Sequence, residues 1–162
     1  MTILANPGYR FMLSHPAHVI ALGFGSGLAP TAPGTFGTLF GWVSFNLLAP
    51  MLTWQGWLAL LVGGFLLGVW ACERTGRDLG VADHGGMVWD EIIAIWLVLF
   101  FLPTTLAWQA VGFLLFRLFD IFKPAPIAQF ERAFKNGFGV MGDDLIAAFF
   151  TLLVLALGVR IL

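Results

Sequence analysis

Carboxylates with unusual surroundings are the residues of this chain that could do chemistry. Six of its nine acidic residues fall in three short clusters, each beside a long apolar run. They are Asp83, Asp90 and Glu91; Asp120; and Asp143 and Asp144. The chain is 59 % hydrophobic, and a charge near a bilayer centre costs roughly 2.5 to 3.5 kcal/mol on insertion scales. We therefore expect these acids to lie at helix ends or to bind a ligand that offsets this cost.

The first cluster lies in the sequence DHGGMVWDE, from Asp83 to Glu91, and includes His84. A helix dipole stabilises carboxylates at its N-terminus, so capping alone is the simpler explanation of Asp90 and Glu91. Three acids and a histidine within this stretch exceed what capping requires, and we predict a metal site here. Trp89 is expected to anchor at the level of the lipid headgroups.

The second cluster combines Asp120 with two cations, Arg117 and Lys123, at spacings that place all three on one helix face. One interpretation is a stripe of salt bridges whose basic side chains reach toward the membrane surface. The other is that Asp120 binds a cation while Arg117 and Lys123 bind a phosphate, Arg as a bidentate fork and Lys as a point charge.

The third cluster is the adjacent pair Asp143 and Asp144, which follows the glycine-rich sequence GFGVMG. Two neighbouring carboxylates repel each other, so placing them beside lipid is costly unless a divalent cation binds there. A double N-cap of the last helix is the alternative.

A run of glycines, Gly23, Gly25 and Gly27, precedes the sequence PGTFGT and an apolar helix. Glycines let backbone N–H groups approach an oxyanion, and a following helix N-terminus favours negative charge. We predict a phosphate cradle that includes Thr35, Gly37 and Thr38. The sequence matches neither a Walker loop nor GxGxxG, and a re-entrant turn or close helix packing would also explain it.

The overall composition is that of an integral membrane protein with a single domain over residues 1–162. The mean hydropathy is +0.91, only 10 % of residues are charged, and seven are Trp. A net charge of -1 gives no reason to expect a nucleic-acid partner. The single Cys72 excludes a disulfide framework. Pro7, Arg10, His15 and Pro16 interrupt the N-terminal stretch, so we expect no cleaved leader.

The apolar segments predict an all-α, polytopic helical bundle. About five segments are long enough to span a membrane: Thr38 to Met51, Trp57 to Cys72, Val88 to Leu102, Leu106 to Phe122, and Leu145 to Leu162. The stretch from His18 to Gly37 is broken by Gly and Pro, and we expect an interfacial or re-entrant element there.

The distribution of basic residues predicts the orientation of this bundle. With a cytoplasmic N-terminus, five crossings place seven of the eight basic residues inside, all except Arg160. The same arrangement places every acidic residue at or near the cytoplasmic face. A multi-pass protein with its active site facing the cytoplasm is therefore expected.

Four blocks, GFGSGLAPTAPGTFGTL, DHGGMVWDE, FRLFDIFKPAPI and GFGVMGDDLIAA, together resemble the phosphatidylglycerophosphatase A family of the bacterial inner membrane. The resemblance implies a Mg²⁺-dependent phosphatase that converts phosphatidylglycerophosphate, its phospholipid substrate, into phosphatidylglycerol and phosphate. It also implies metal ligation by the six clustered acids, of which Asp83, Asp90, Asp120 and Asp144 would be catalytic. The expected phosphate-binding residues are Thr35, Gly37, Thr38, His84, Arg117 and Lys123.

The sequence favours water as the nucleophile, with attack by an Asp carboxylate as the alternative. A phosphatidate phosphatase and a small ion transporter are the competing functions. The His- and Arg-rich signature of type 2 phosphatidate phosphatases is missing, and a transporter is expected to hold charge near the midplane, whereas these charges gather on one face. Whether His84 acts as an acid or only as a hydrogen-bonding group is open at this stage, as is the oligomeric state.

Overall fold

Helices form all the regular structure of the part of the chain that the computed structural model describes, residues 7–161 with side chains to residue 158. The predicted all-α fold class is confirmed. The α-helices, in chain order, are α1 (Tyr9–Met12), α2 (Pro16–Ala21), α3 (Pro33–Leu48), α4 (Trp54–Leu79), α5 (Trp89–Phe101), α6 (Leu106–Phe122), α7 (Ala125–Ala133) and α8 (Gly137–Ile161). Two 3₁₀ helices, Gly23–Leu28 and Ala49–Met51, flank α3.

The centre of the bundle is α5, which contacts α3, α4, α6 and α8. Its 13 residues extend over about 20 Å, less than the roughly 30 Å of a bilayer core. By length and composition, two of the described helices can cross a membrane, Trp54–Leu79 and Gly137–Gly158. The predicted count of about five spans therefore stays a prediction.

Glycines on the helices around α5 allow the backbones to approach it closely. A Cβ on Gly41 of α3 would lie 3.1 Å from the Cα of Ile92, and one on Gly68 of α4 would lie 2.6 Å from the ring of Trp89. The Trp89 indole donates a hydrogen bond to the Gly64 carbonyl over 2.9 Å, and its side chain is buried. The expectation that Trp89 anchors at the headgroups is therefore wrong, because its indole finds its partner inside the bundle.

The last helix, α8, begins at Gly137, eight residues before the predicted start of the last span. The Asn136 side chain accepts a hydrogen bond from the Gly139 amide over 2.9 Å and so caps the first turn. A Cβ on Gly137 would lie 2.6 Å from the Glu73 amide nitrogen of α4, so only glycine fits there. Asp143 and Asp144 consequently lie in the second turn of α8, and the double N-cap is wrong.

Two other helices also extend beyond the predicted spans. Pro33, a favoured first residue, starts α3 five residues before the predicted Thr38. Thr53 caps α4 by accepting from the Gly56 amide over 3.2 Å, and Gly80 ends it with φ +79°. The fourth predicted span, by contrast, coincides with α6.

The Gly- and Pro-broken stretch before α3 contains the end of α2 and the 3₁₀ helix Gly23–Leu28. That 3₁₀ helix is itself broken, because Phe24 and Gly25 have φ of +55° and +104°. Its position at or in the membrane stays a prediction. The chain reverses direction between successive long helices, so the N-terminal ends of α3, α5 and α8 meet the C-terminal ends of α4 and α6 at one end of the bundle. All three acidic clusters lie at this end.

Candidate metal and phosphate site

Three buried carboxylates from two helices converge at this end of the bundle. Asp90 and Glu91 come from the first turn of α5, and Asp144 comes from α8. One oxygen of each lies within 4.8 Å of the others. We call these three residues the carboxylate cluster.

Each member of the carboxylate cluster has an oxygen with no hydrogen-bond partner among residues 7–158, namely Asp90 Oδ1, Glu91 Oε2 and Asp144 Oδ2. Burying an uncompensated carboxylate costs several kcal/mol, and three like charges add mutual repulsion. Hard divalent cations take carboxylate oxygens as ligands. The burial and the donor set therefore fit a divalent metal ion, which would compensate all three charges together.

Arg117 of α6 lies beside the carboxylate cluster and is held by three oxygens. Its Nη1 donates to Asp120 Oδ2 and, over 3.3 Å, to the Thr38 hydroxyl, and lies 3.6 Å from Glu91 Oε1. The first turn of α3 closes this side of the site, since a Cβ on Gly34 would collide with Glu91 Oε1. Arg117 thus links α3, α5 and α6 around the carboxylates.

Lys123 occupies the C-cap of α6 with φ +40°, a left-handed conformation that redirects the chain into Pro124. Its Nζ donates to Asp143 Oδ2 over 2.6 Å and lies 3.3 Å from Glu131 Oε2. Partial burial is the largest single effect and lowers the pKa of Lys123. The charge and hydrogen bond of Asp143, together with the charges of Asp144 and Glu131, outweigh it and hold the pKa above its ordinary value. Lys123 is therefore a permanent cation at the edge of the site.

Asp83 and His84 lie on the loop between α4 and α5. The Asp83 side chain is exposed, yet the surrounding protein displaces enough water to raise the pKa of its carboxyl, against the charge of the nearby Lys123. The Nδ1 atom of His84 accepts from the Gly86 amide over 3.0 Å and so shapes the loop. Roles for Asp83 in metal binding and for His84 in phosphate binding stay predictions.

The remaining predicted residues surround the carboxylate cluster. Asp120 accepts a hydrogen bond from Arg117 Nη1, and Asp143 accepts one from Lys123 Nζ. Gly37 is buried, and a Cβ there would lie 2.5 Å from that of Val88, which gives this glycine a packing role. The Thr35 amide donates to the Ala32 carbonyl over 2.9 Å, so only its hydroxyl could serve a phosphate.

Glu131 lies outside the sequence motifs and is not among the predicted site residues. The structure brings its carboxylate to Lys123 because α7 folds back over α8 after Pro124. Ile127 is fully buried in this packing, and a Cβ on Gly142 would lie in contact with the Phe130 ring. The one local signal was its spacing of four residues from Lys135.

The helical bundle and its site together define a class of protein: an apolar, all-helical protein with two helices able to cross a membrane and a buried acidic cluster that could hold a metal ion, flanked by Arg and Lys. Comparison with known families identifies the family. The profile of phosphatidylglycerophosphatase A matches residues 19–159, and the chain belongs to this family.

Named relatives agree with this assignment. The chain is 45 % identical to phosphatidylglycerophosphatase A of Escherichia coli strain K12 over 139 residues, which cover 85 % of this chain and 80 % of the relative. It is 44 % identical to the Haemophilus influenzae protein of that name, with 92 % of each chain covered. A Bacteroides thetaiotaomicron protein provisionally named a phosphatidylinositol-3-phosphatase is 36 % identical, covering 85 % of this chain and 90 % of the relative. No solved structure matches the chain.

Proposed function

We propose that this protein hydrolyses the terminal phosphomonoester of phosphatidylglycerophosphate and releases phosphatidylglycerol and inorganic phosphate. The family and the names of the two relatives with 44 and 45 % identity support this substrate. Water attacks the phosphorus atom, the bond from phosphorus to the glycerol oxygen breaks, and that oxygen takes a proton. The step is a simple hydrolysis and needs no oxidant or second substrate.

The observation that carries the proposal is the carboxylate cluster beside two cations. Asp144 and Glu91 are buried. Arg117 Nη1 lies 3.6 Å from Glu91 Oε1, and Lys123 pairs with Asp143, the residue next to Asp144. A purely structural core would gain nothing from three carboxylate oxygens whose partners do not lie within the described chain. An enzyme that neutralises a phosphate through a cation requires this combination.

Mg²⁺ is the ion that we propose for the carboxylate cluster, with Asp90, Glu91 and Asp144 as ligands and Asp120, Asp143 and Asp83 completing the site. When bound, Mg²⁺ supplies charge neutralisation of phosphate oxygens and activation of water. Its preference for oxygen ligands suits a site whose three members all offer carboxylate oxygens.

The side chains around the carboxylate cluster bind the substrate phosphate and orient the groups that bind it. Arg117 and Lys123 bind the phosphate oxygens through charge-assisted hydrogen bonds and stabilise the charge that develops in the transition state. The Thr38 hydroxyl, which already accepts from Arg117, orients that guanidinium. The buried walls of α5 and α8 exclude bulk water, which strengthens these interactions.

The location that we propose is the bacterial inner membrane, with several spans and the site at the cytoplasmic face. The two helices long enough to span support a membrane protein. The placement of the site among the charged helix ends supports an opening toward the side that carries most basic residues.

A substrate panel tests the proposal. The purified protein, in neutral detergent, is supplied with phosphatidylglycerophosphate, phosphatidate or lysophosphatidate, each with Mg²⁺ and with chelator, and released phosphate is measured. We expect Mg²⁺-dependent release, fastest from phosphatidylglycerophosphate. Equal or faster release from phosphatidate would assign the protein to the broader class of lipid phosphate phosphatases, and no release from any of the three would reject phosphatase activity.

A further inference from the structure

Lys135 is a basic residue separated from Lys123 of the proposed phosphate site by the carboxylate of Glu131. The Glu131 carboxylate lies between two ammonium groups: its Oε2 is 3.3 Å from Lys123 Nζ, and its Oε1 is 4.0 Å from Lys135 Nζ. Lys123 belongs to the site already described, whereas the Lys135 side chain is 60 % exposed at its edge. The two cations therefore lie on either side of one carboxylate.

Lys135 also lines a cavity of about 220 Å³ between the C-terminal end of α4 and the start of α8. Arg77 and Asn136 are its other donor side chains. Glu73 is the acidic residue in this lining, and its two oxygens accept from Arg77 and from the Gly137 amide. The lining therefore carries a formal charge of +1, from Arg77 and Lys135 against Glu73.

The cavity adjoins the candidate site. A second, smaller pocket shares Ala82, Lys135 and Asn136 with it and adds Asp83 and Glu131. A ligand that reaches from Lys123 past Glu131 therefore arrives at Lys135 and at this cavity.

We propose that Lys135, with Arg77 across the cavity, binds the second phosphate of the substrate, the phosphodiester that joins the glycerol headgroup to diacylglycerol. This inference rests on the proposed function. Phosphatidylglycerophosphate carries two phosphates separated by a three-carbon glycerol bridge, and two cations that share one carboxylate match such a pair. Phosphatidate carries one phosphate, so only the doubly phosphorylated lipid engages both Lys123 and Lys135. Lys135 is thus a specificity-determining residue.

The test compares Lys135→Gln with the wild type on two substrates in neutral detergent with saturating Mg²⁺. For phosphatidylglycerophosphate we expect KM to rise about fivefold or more with little change in kcat, because a charge-assisted contact to a non-reacting group is lost. KM for phosphatidate should not change. Arg77→Gln should act in the same direction, and Lys135→Arg should restore most of the affinity because it keeps the charge.

Arg132→Gln is the matched control, since Arg132 is a neighbouring basic residue of α7 that lies outside the lining of the cavity. Added phosphatidylglycerol, which has the diester without the monoester, should inhibit the wild type more strongly than Lys135→Gln. Equal losses on both substrates, unchanged kinetics, or the same effect from Arg132→Gln would overturn the assignment. A wild type that releases no phosphate from phosphatidylglycerophosphate would instead reject the proposed function.

Discussion

Lys123 and Asp143 form a direct ion pair of 2.6 Å that joins the end of α6 to the second turn of α8. The side chain of Asp143 is 3 % exposed and that of Lys123 is 25 % exposed, so the pair extends from the interior to the edge of the site. A phosphate that binds Lys123 therefore competes with a carboxylate already in place. In the proposed function, affinity for the substrate phosphate depends on the balance between its ion pair with Lys123 and the existing pair of Lys123 with Asp143.

Replacement of Lys123 with Met, or of Arg117 with Lys, should lower kcat/KM by about 2 kcal/mol or more, because each change removes a charge-assisted contact to phosphate. Steady-state kinetics at several Mg²⁺ concentrations measure this effect. The Mg²⁺ concentration for half-maximal activity should change little. Full turnover at a shifted Mg²⁺ optimum would assign the residue to the metal site, and normal kinetics with lower thermal stability would leave it as a structural salt bridge.

Asp144→Asn should stabilise the protein in the presence of chelator. The change removes one of three buried carboxylate charges, each with an oxygen that has no hydrogen-bond partner among the residues that the structure describes. It should raise the melting temperature by about 2 to 4 °C. Thermal unfolding in detergent, followed by circular dichroism, measures the shift. In saturating Mg²⁺ the order should reverse, because the wild type gains binding energy that the variant lacks. A variant less stable than the wild type in chelator would show that Asp144 is already compensated within the protein.

Gly34→Ala should reduce turnover by about tenfold or more while the protein still folds. The added methyl group would collide with Glu91 Oε1 and press on the Arg117 guanidinium, 3.2 Å away, so both would move from their positions. Gly63→Ala is the control, since a Cβ on Gly63 meets no atom of the described chain within 4 Å. Normal turnover in Gly34→Ala would mean that the position of Glu91 does not limit catalysis.

The orientation can be measured with single cysteines in a Cys72→Ser background. Cysteines at Ala82 and Asn136, near the candidate site, should react with an impermeant thiol reagent only after the cytoplasmic face is opened. A cysteine at Thr104, in the connector between α5 and α6 at the opposite end of the bundle, should react in intact cells. Labelling of position 136 from outside would invert the proposed orientation.

The convergence of the acids could be predicted from the sequence, because short uncharged connectors and long charged connectors alternate along the chain. This alternation brings Asp90, Asp120 and Asp144 to one end of the bundle in any up-and-down arrangement. The identity of the carboxylate cluster within the six predicted ligands could not be predicted. It depends on the turn of α8 in which Asp144 lies, and that turn is set by the Asn136 cap and the contact of Gly137 with α4.

The positions of Trp89 and Glu131 depend on tertiary contacts that the sequence does not reveal. Trp is a common residue at the level of the lipid headgroups, but the Gly64 carbonyl accepts a hydrogen bond from the Trp89 indole N–H inside the bundle. Glu131 is part of no motif, and only the fold-back of α7 brings it to Lys123. Such contacts join residues distant in sequence, so periodicity does not reveal them.

The central claim is that the carboxylate cluster and its acidic neighbour Asp120 act as one metal-dependent catalytic site. Phosphate release from phosphatidylglycerophosphate by Asp90→Asn, Asp120→Asn and Asp144→Asn tests it most directly. Asp78→Asn is the folded control, since Asp78 pairs with His18 and Arg74 and lies outside the proposed site. The account predicts at least about a 10²-fold loss of turnover in each Asn variant, since loss of a carboxylate from a metal site removes several kcal/mol of transition-state stabilisation. Asp78→Asn should remain active. Near-wild-type turnover in all three Asn variants would contradict the account.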